Sequence, residues 1–196
     1  MNFAQIRKYD VANGVGIRAT LFVSGCHFNC PGCFNKEYQN FSFGNEFTDE
    51  EMQKFIDLGK NPSISGFSFL GGEPLDQIND DTLLRTVKAI KEQTGKTIWL
   101  WTGYVFENLN EKQMEIVKHI DVLVDGPFIE AQKDMRLNSH IGHILAADYL
   151  LNIHPQKPVI FRFHPQAQRR NLPIGTAHRN HIYGGILLLH CAHPFS

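Results

Sequence analysis

At 196 residues, with 42% hydrophobic and 20% charged residues, the chain can bury one sizeable core and is too apolar for a disordered or collagenous polypeptide. Its formal charge of −1, from 19 Lys+Arg and 20 Asp+Glu, provides no field for a phosphate backbone, which argues against non-specific nucleic-acid binding and favours a small-molecule or protein substrate. Residues 1–20 hold no apolar signal core, and the longest aliphatic run, 186–189, is far too short for a bilayer; a cytoplasmic protein without membrane contact is expected.

Residues 18–24 (RATLFVS) form a short β-type run that ends at Gly25 and a cysteine cluster, as a strand feeding a loop does. Thr48 predicts the cap of a helix through 58, with Glu51 completing a capping box and Met52, Phe55 and Ile56 on its apolar face. A strand over 64–70 (ISGFSFL) stops at Gly71 and Gly72. Asp80 or Asp81 opens a helix whose Leu83, Leu84, Val87 and Ile90 share one face, and Gly95 stops it. Residues 97–101 (TIWLW), apolar on consecutive positions, suit a strand buried on both faces. A third helix over 110–119 leads to a strand at 121–124 (DVLV) and the turn Asp125-Gly126-Pro127. The order βαβαβ predicts an α/β fold with a parallel sheet and right-handed crossovers. Ligands then belong at the carboxyl ends of the strands, where loops 25–35, 71–75, 102–104 and 125–128 gather.

Composition changes sharply after this region. Residues 1–135 carry 13 Lys+Arg against 19 Asp+Glu, a net of −6, whereas residues 136–196 carry 6 against 1, a net of +5, with 8 of the 10 histidines and 5 of the 9 prolines. The break divides a core domain, 1–136, from an atypical His/Pro/Arg-rich C-terminal extension, 137–196.

Three of the four cysteines, Cys26, Cys30 and Cys33, are spaced C-x3-C-x2-C. Three thiolates on one loop can hold three irons of a [4Fe–4S] cube and leave the fourth iron open to a chelating substrate. The alternatives are a zinc site completed by His27 or Cys191, and a disulfide; zinc more often uses paired C-x2-C units, and a disulfide does not persist in a reducing compartment. His27 reads as an exposed loop residue between ligands.

The cysteine spacing resembles the hallmark of the radical S-adenosylmethionine enzymes. GCHFNCPGCFN, LGGEPL, WTGY and DVLVDGPF, with NGVGIRATLFVSGC before them, resemble the activating proteins of anaerobic (class III) ribonucleotide reductase over residues 1–135. The resemblance implies a partial, open (β/α) barrel. It also implies a [4Fe–4S] cluster on Cys26, Cys30 and Cys33, and S-adenosylmethionine chelating the unique iron. An electron from the cluster cleaves the sulfonium bond to give a 5′-deoxyadenosyl radical, which takes a Cα hydrogen from a glycine of the reductase and leaves a stored glycyl radical. Gly72 matches the family's cofactor-contacting glycine, and Gly32, Cys33 and Phe34 match positions bordering the cofactor. Phe34 stands either near the adenine or as hydrophobic shielding; the Gly71-Gly72 pair either admits a ligand to the backbone or only ends a strand. Thr102, Tyr104 and Asp125 either line the pocket or serve turns and caps. The implied partners are the reductase large subunit and an electron donor such as flavodoxin. Activation of another glycyl-radical enzyme, such as pyruvate formate-lyase, is the alternative within this chemistry; a non-catalytic metal-binding module is the alternative outside it.

Relatives follow the Lys133-Asp134 pair with a polar stretch resembling Arg-Gly-Ser-Ser-Asn-Gln and then stop, whereas this chain has none and continues for about 60 residues. His164, His178 and His181 there could ligate a metal but lack a repeated spacing; an accidental continuation, as from a shifted reading frame, accounts for the composition. Runs at 159–163 (VIFRF) and 186–189 are candidate strands.

Overall fold

The computed structural model describes residues 1–127 and, beyond them, the backbone of three strands, Val159–Phe163, His181–Tyr183 and Ile186–Cys191. Phe128, the Lys133-Asp134 pair, the 136/137 boundary, His164 and His178 lie outside the described residues, as do the side chains of His181 and Cys191.

The chain opens with a strand absent from the sequence reading, β1 (Asn2–Asp10), which returns antiparallel along β2 (Ile17–Ser24) and is edged by the two-residue β3 (Asn45–Glu46). Helix α1 (Asp49–Asp57) leads to β4 (Ile64–Gly71), α2 (Thr82–Thr94) to β5 (Thr97–Trp101), and α3 (Glu111–Val117) to β6 (Val122–Asp125). Strands β2, β4, β5 and β6 run parallel in that order, as the βαβ pattern requires. The backbones of β7 (Val159–Phe163) and β9 (Ile186–Cys191) extend the parallel set, with β8 (His181–Tyr183) antiparallel at the far edge. The result is a mixed α/β sheet. Among the described residues no helix is long and apolar enough to cross a membrane.

Local chemistry accounts for the helix ends, with two differences from expectation. The Thr48 hydroxyl accepts from the Glu51 amide, but the Glu51 carboxylate turns to Lys54 at 2.9 Å. The reciprocal capping box forms at α3, between Asn110 and Gln113, at 3.0 Å in both directions. Gly95 takes the left-handed conformation (φ 63°) that ends α2, and the Asp80 carboxylate accepts from Thr82 at the helix start.

The two faces of the sheet differ in kind. Ala19, Leu21 and Val23 of β2, Phe67 and Phe69 of β4, Ile98 and Leu100 of β5 and Leu123 of β6 join the apolar sides of the three helices in one core. On the opposite face the alternate residues include Arg18, Thr20 and Ser24 of β2, Ser68 of β4, and Trp99 and Trp101 of β5. Arg18 is 1% exposed and saturated: it donates to Ser68 Oγ, Thr97 Oγ1 and the carbonyls of Val15, Phe67 and Thr97, at 2.6 to 3.2 Å. Its guanidinium also lies 5.4 Å from the Trp99 ring centroid. Burial pulls its pKa down to about 9.

Candidate functional site

The carboxyl ends of β2, β4, β5 and β6 carry the four loops that the topology predicted to gather, and hydrogen bonds bind them into one rim. From β2 the chain turns at Gly25, whose amide donates to Tyr38 O at 2.7 Å, while the Cys26 amide donates to Gln39 O at 3.1 Å. The cysteine loop is thereby closed against the 3-10 turn Lys36–Gln39. Left-handed residues Asn29 (φ 46°) and Gly32 (φ 66°) shape the loop, and Cys33 N donates to Cys30 O.

Cys26, Cys30 and Cys33 are all unpaired and half-buried. Burial pushes the Cys26 thiol up to about 11, and nearby Glu73 and Asp76 push in the same direction. The Cys30 thiol is raised as well, first by burial and then by Cys33. The thiols are thus held in the neutral form while no cation is bound to them.

Two carboxylates of the Gly71–Asp76 segment knit the rim together. Glu73, 2% exposed, accepts from Leu75 N (2.9 Å), Thr102 Oγ1 (2.7 Å) and Gly103 N (2.8 Å), tying the β4 loop to the β5 loop. Burial lifts its pKa to about 7 against those three donors. Asp76 accepts from His27 N at 2.8 Å and from the Tyr104 hydroxyl at 2.6 Å. Burial first, and then this bond, push the Tyr104 phenol up to about 12. Gln77 Nε2 donates to Gly25 O and Glu73 O, Gln113 Nε2 to Leu75 O, and Gly126 N to Tyr104 O.

Gly72 lies within this rim, and its lack of a side chain serves the loop itself: an added Cβ would stand 2.5 Å from Gly25 O and 2.8 Å from Tyr38 O. Phe34 leaves 73% of its surface exposed beside the last cysteine, and Gly32 is exposed next to it. Thr102 and Tyr104 face Glu73 and Asp76, whereas Asp125, 1% exposed, accepts from Phe106 N at the start of a 3-10 turn. His27 is an exposed loop residue with Nδ1 3.0 Å from Asp76 and its ring 4.7 Å from that of Phe41. Glu73, Asp76, Gln77 and Gln113 received no role from the sequence. For Glu73, Asp76 and Gln77 the signal was the placement of polar residues beside a strand-ending Gly-Gly, where a turn accounts for them equally well; Gln113, inside α3, carried none.

The residues present suit an iron–sulfur cube. A cube takes one thiolate per iron, so the thiols of one loop need not converge on a point as zinc ligands must. Among the described residues no three His, Cys, Asp or Glu groups so converge. The Ser24 hydroxyl, fully buried two residues before Cys26, has no hydrogen-bond partner among the described residues, and the Thr20 hydroxyl on the same strand shares that state.

Residues 12–143 match the family model described as a 4Fe-4S single cluster domain. The chain is 43% identical over 140 residues to the anaerobic ribonucleoside-triphosphate reductase-activating protein of Haemophilus influenzae, covering 70% of this chain and 90% of that protein. The protein of the same name from Escherichia coli K12 is 43% identical over 140 residues, with 70% and 91% covered. That of Enterobacteria phage T4 is 37% identical over 129 residues, with 65% and 81% covered.

Proposed function

The chain belongs to the family of anaerobic ribonucleoside-triphosphate reductase-activating proteins, and from that membership we propose that it generates the glycyl radical of an anaerobic ribonucleotide reductase. The carrying observation is the C-x3-C-x2-C loop at the carboxyl end of β2, fastened to the Gly71–Asp76 segment of β4. The cofactors are a [4Fe–4S] cluster and S-adenosylmethionine, which together supply a carbon-centred radical by reductive cleavage of the sulfonium.

Cys26, Cys30 and Cys33 would hold the cluster. Gly32, Cys33, Phe34 and Gly72 would border S-adenosylmethionine. An exposed phenylalanine beside a ligand is surface that a bound molecule covers, and the Gly72 peptide runs against the cysteine loop. Glu73 and Thr102 keep the second and third loops at fixed separation, and the apolar core beneath them keeps the rim rigid.

The sheet is proposed to curve as a partial open barrel. In support, the three described helices pack on one face, and the other face carries polar and aromatic side chains below the rim. Residues 1–136 form the catalytic domain in this reading and 137–196 an atypical extension, since the aligned 140 residues make up nine-tenths of two relatives but 70% of this chain. The β7 backbone nevertheless runs parallel to β6, so the extension continues the sheet. The reductase large subunit is the partner, a flavodoxin-type protein the electron donor, and the cytoplasm the location.

The test is anaerobic incubation of reconstituted protein with S-adenosylmethionine, a reductant and the candidate reductase. A glycyl radical in the EPR spectrum and one methionine released per radical are expected. Cluster-loaded protein that cleaves no S-adenosylmethionine would sink the proposal and leave a non-catalytic metal-binding module.

A further inference from the structure

Asp76 ligates nothing and has no part in the chemistry above, yet it sits at the junction of three loops. Its side chain is 5% exposed. Oδ2 accepts from the His27 amide at 2.8 Å and lies 3.0 Å from His27 Nδ1; Oδ1 accepts from the Tyr104 hydroxyl at 2.6 Å. The Tyr104 ring in turn meets the Phe28 ring edge-on at 4.7 Å. Gly103 leaves room for that contact, since a Cβ there would stand 2.9 Å from the Phe28 ring. The stretch between Cys26 and Cys30 is thus gripped from the side by the Asp76 carboxylate, which the Tyr104 hydroxyl braces, and by the Tyr104 ring against Phe28. The stretch between Cys30 and Cys33 is exposed at Pro31 and Gly32.

We propose that Asp76 is a positioning residue for the cluster: it fixes the loop between the first two ligands and places a carboxylate beside Cys26 that lowers the reduction potential of the bound centre. Groups outside the ligand shell orient ligands, and net charge near a cluster is one of the protein's levers on its potential. A fixed negative charge opposes the arrival of an electron. The inference rests on Cys26, Cys30 and Cys33 being the ligands.

The experiment compares the parent, Asp76→Asn, Asp76→Ala and Tyr104→Phe chains at full length. After anaerobic reconstitution, iron and sulfide are counted and the midpoint potential is read by EPR-monitored titration without S-adenosylmethionine or reductase. Equal iron, with Asp76→Asn titrating at a less negative potential and Tyr104→Phe staying closer to the parent because it keeps the charge, is the expected result. In the cluster-free chains the His27 amide should exchange about tenfold faster in Asp76→Ala, equivalent to the loss of roughly 1.4 kcal/mol of protection. Equal potentials at equal iron overturn the electrostatic role, and unchanged His27 exchange overturns the positioning role. Should Asp76→Asn load no iron, the exchange measurement decides alone. A parent chain that binds no iron overturns both this inference and the cluster reading beneath it.

Discussion

The two ends of the same parallel strands teach opposite lessons about buried polar groups. At the amino end, Arg18 is a full charge inside the protein, and carbonyls, hydroxyls and an indole ring meet it from several elements. Further along the same strand and on the same face, the buried Thr20 and Ser24 hydroxyls have no partner among the described residues, and the three thiols beyond them are free. The Arg18 charge is met in full within the protein, whereas the Thr20 and Ser24 hydroxyls further along that face are not.

The largest expected effect breaks the second end. Replacing Cys26, Cys30 or Cys33 singly by Ala should abolish the cluster, because two thiolates cannot hold three irons; iron and sulfide analysis reads it. Cys191→Ala should leave the iron content unchanged, since β4, β5, β6 and β7 separate β2 from β9. Equal loss from Cys191→Ala would make it a ligand and end the open-iron argument.

Breaking the first end should cost stability and spare the chemistry. Arg18→Met removes the guanidinium donors to Ser68, Thr97 and the Phe67 and Val15 carbonyls, and should destabilise by about 3 kcal/mol in chemical denaturation. Iron per folded chain should be that of the parent. Gly72→Val acts between these extremes. Its Cβ collides with the Gly25 and Tyr38 carbonyls, so about 2 kcal/mol of stability and a measurable part of the cluster occupancy should go together. A variant with full iron and full stability that loses only S-adenosylmethionine binding would show that the space belongs to the ligand.

The gentlest perturbation is pH. Glu73 has a folded pKa of about 7, above its ordinary 4.5, so the stability it contributes is whole below about pH 4.5 and declines as pH rises through 7. Denaturation midpoints of the cluster-free parent, compared with Glu73→Gln, should therefore fall across that window. A difference that grows with pH would mean the three donors to Glu73 outweigh its burial.

Much of this was legible from residue pattern alone. The sequence places strands at 64–70 and 97–101, and the structure puts β4 and β5 within a residue of those bounds, because β-branched and aromatic runs between glycines leave little choice. The cysteine spacing, the caps at Thr48 and Gly95 and the parallel order were equally readable. Strand β1 was not: NFAQIRKYD alternates weakly, and its half-exposed residues are held by pairing with β2 rather than by propensity. The capping box was assigned to Glu51 although Lys54, one turn on, competes for that carboxylate. Asp76 was invisible because its partners, His27 and Tyr104, lie 49 and 28 residues away, and no local spacing records such contacts.

Those separations have a consequence during synthesis. The cysteines leave the ribosome with β2, but the carboxylates that hold their loop follow about 40 residues later, and Tyr104 later still. At roughly 5 to 20 residues per second the three thiols spend about 2 to 8 seconds on a nascent chain before Asp76 has been made. Parallel pairing of β2 with β4 waits on the same residues, so the loop acquires its shape late. During those seconds the thiols are as open to oxidation or a stray cation as those of any unfolded peptide. Cluster insertion belongs after the anchors have closed.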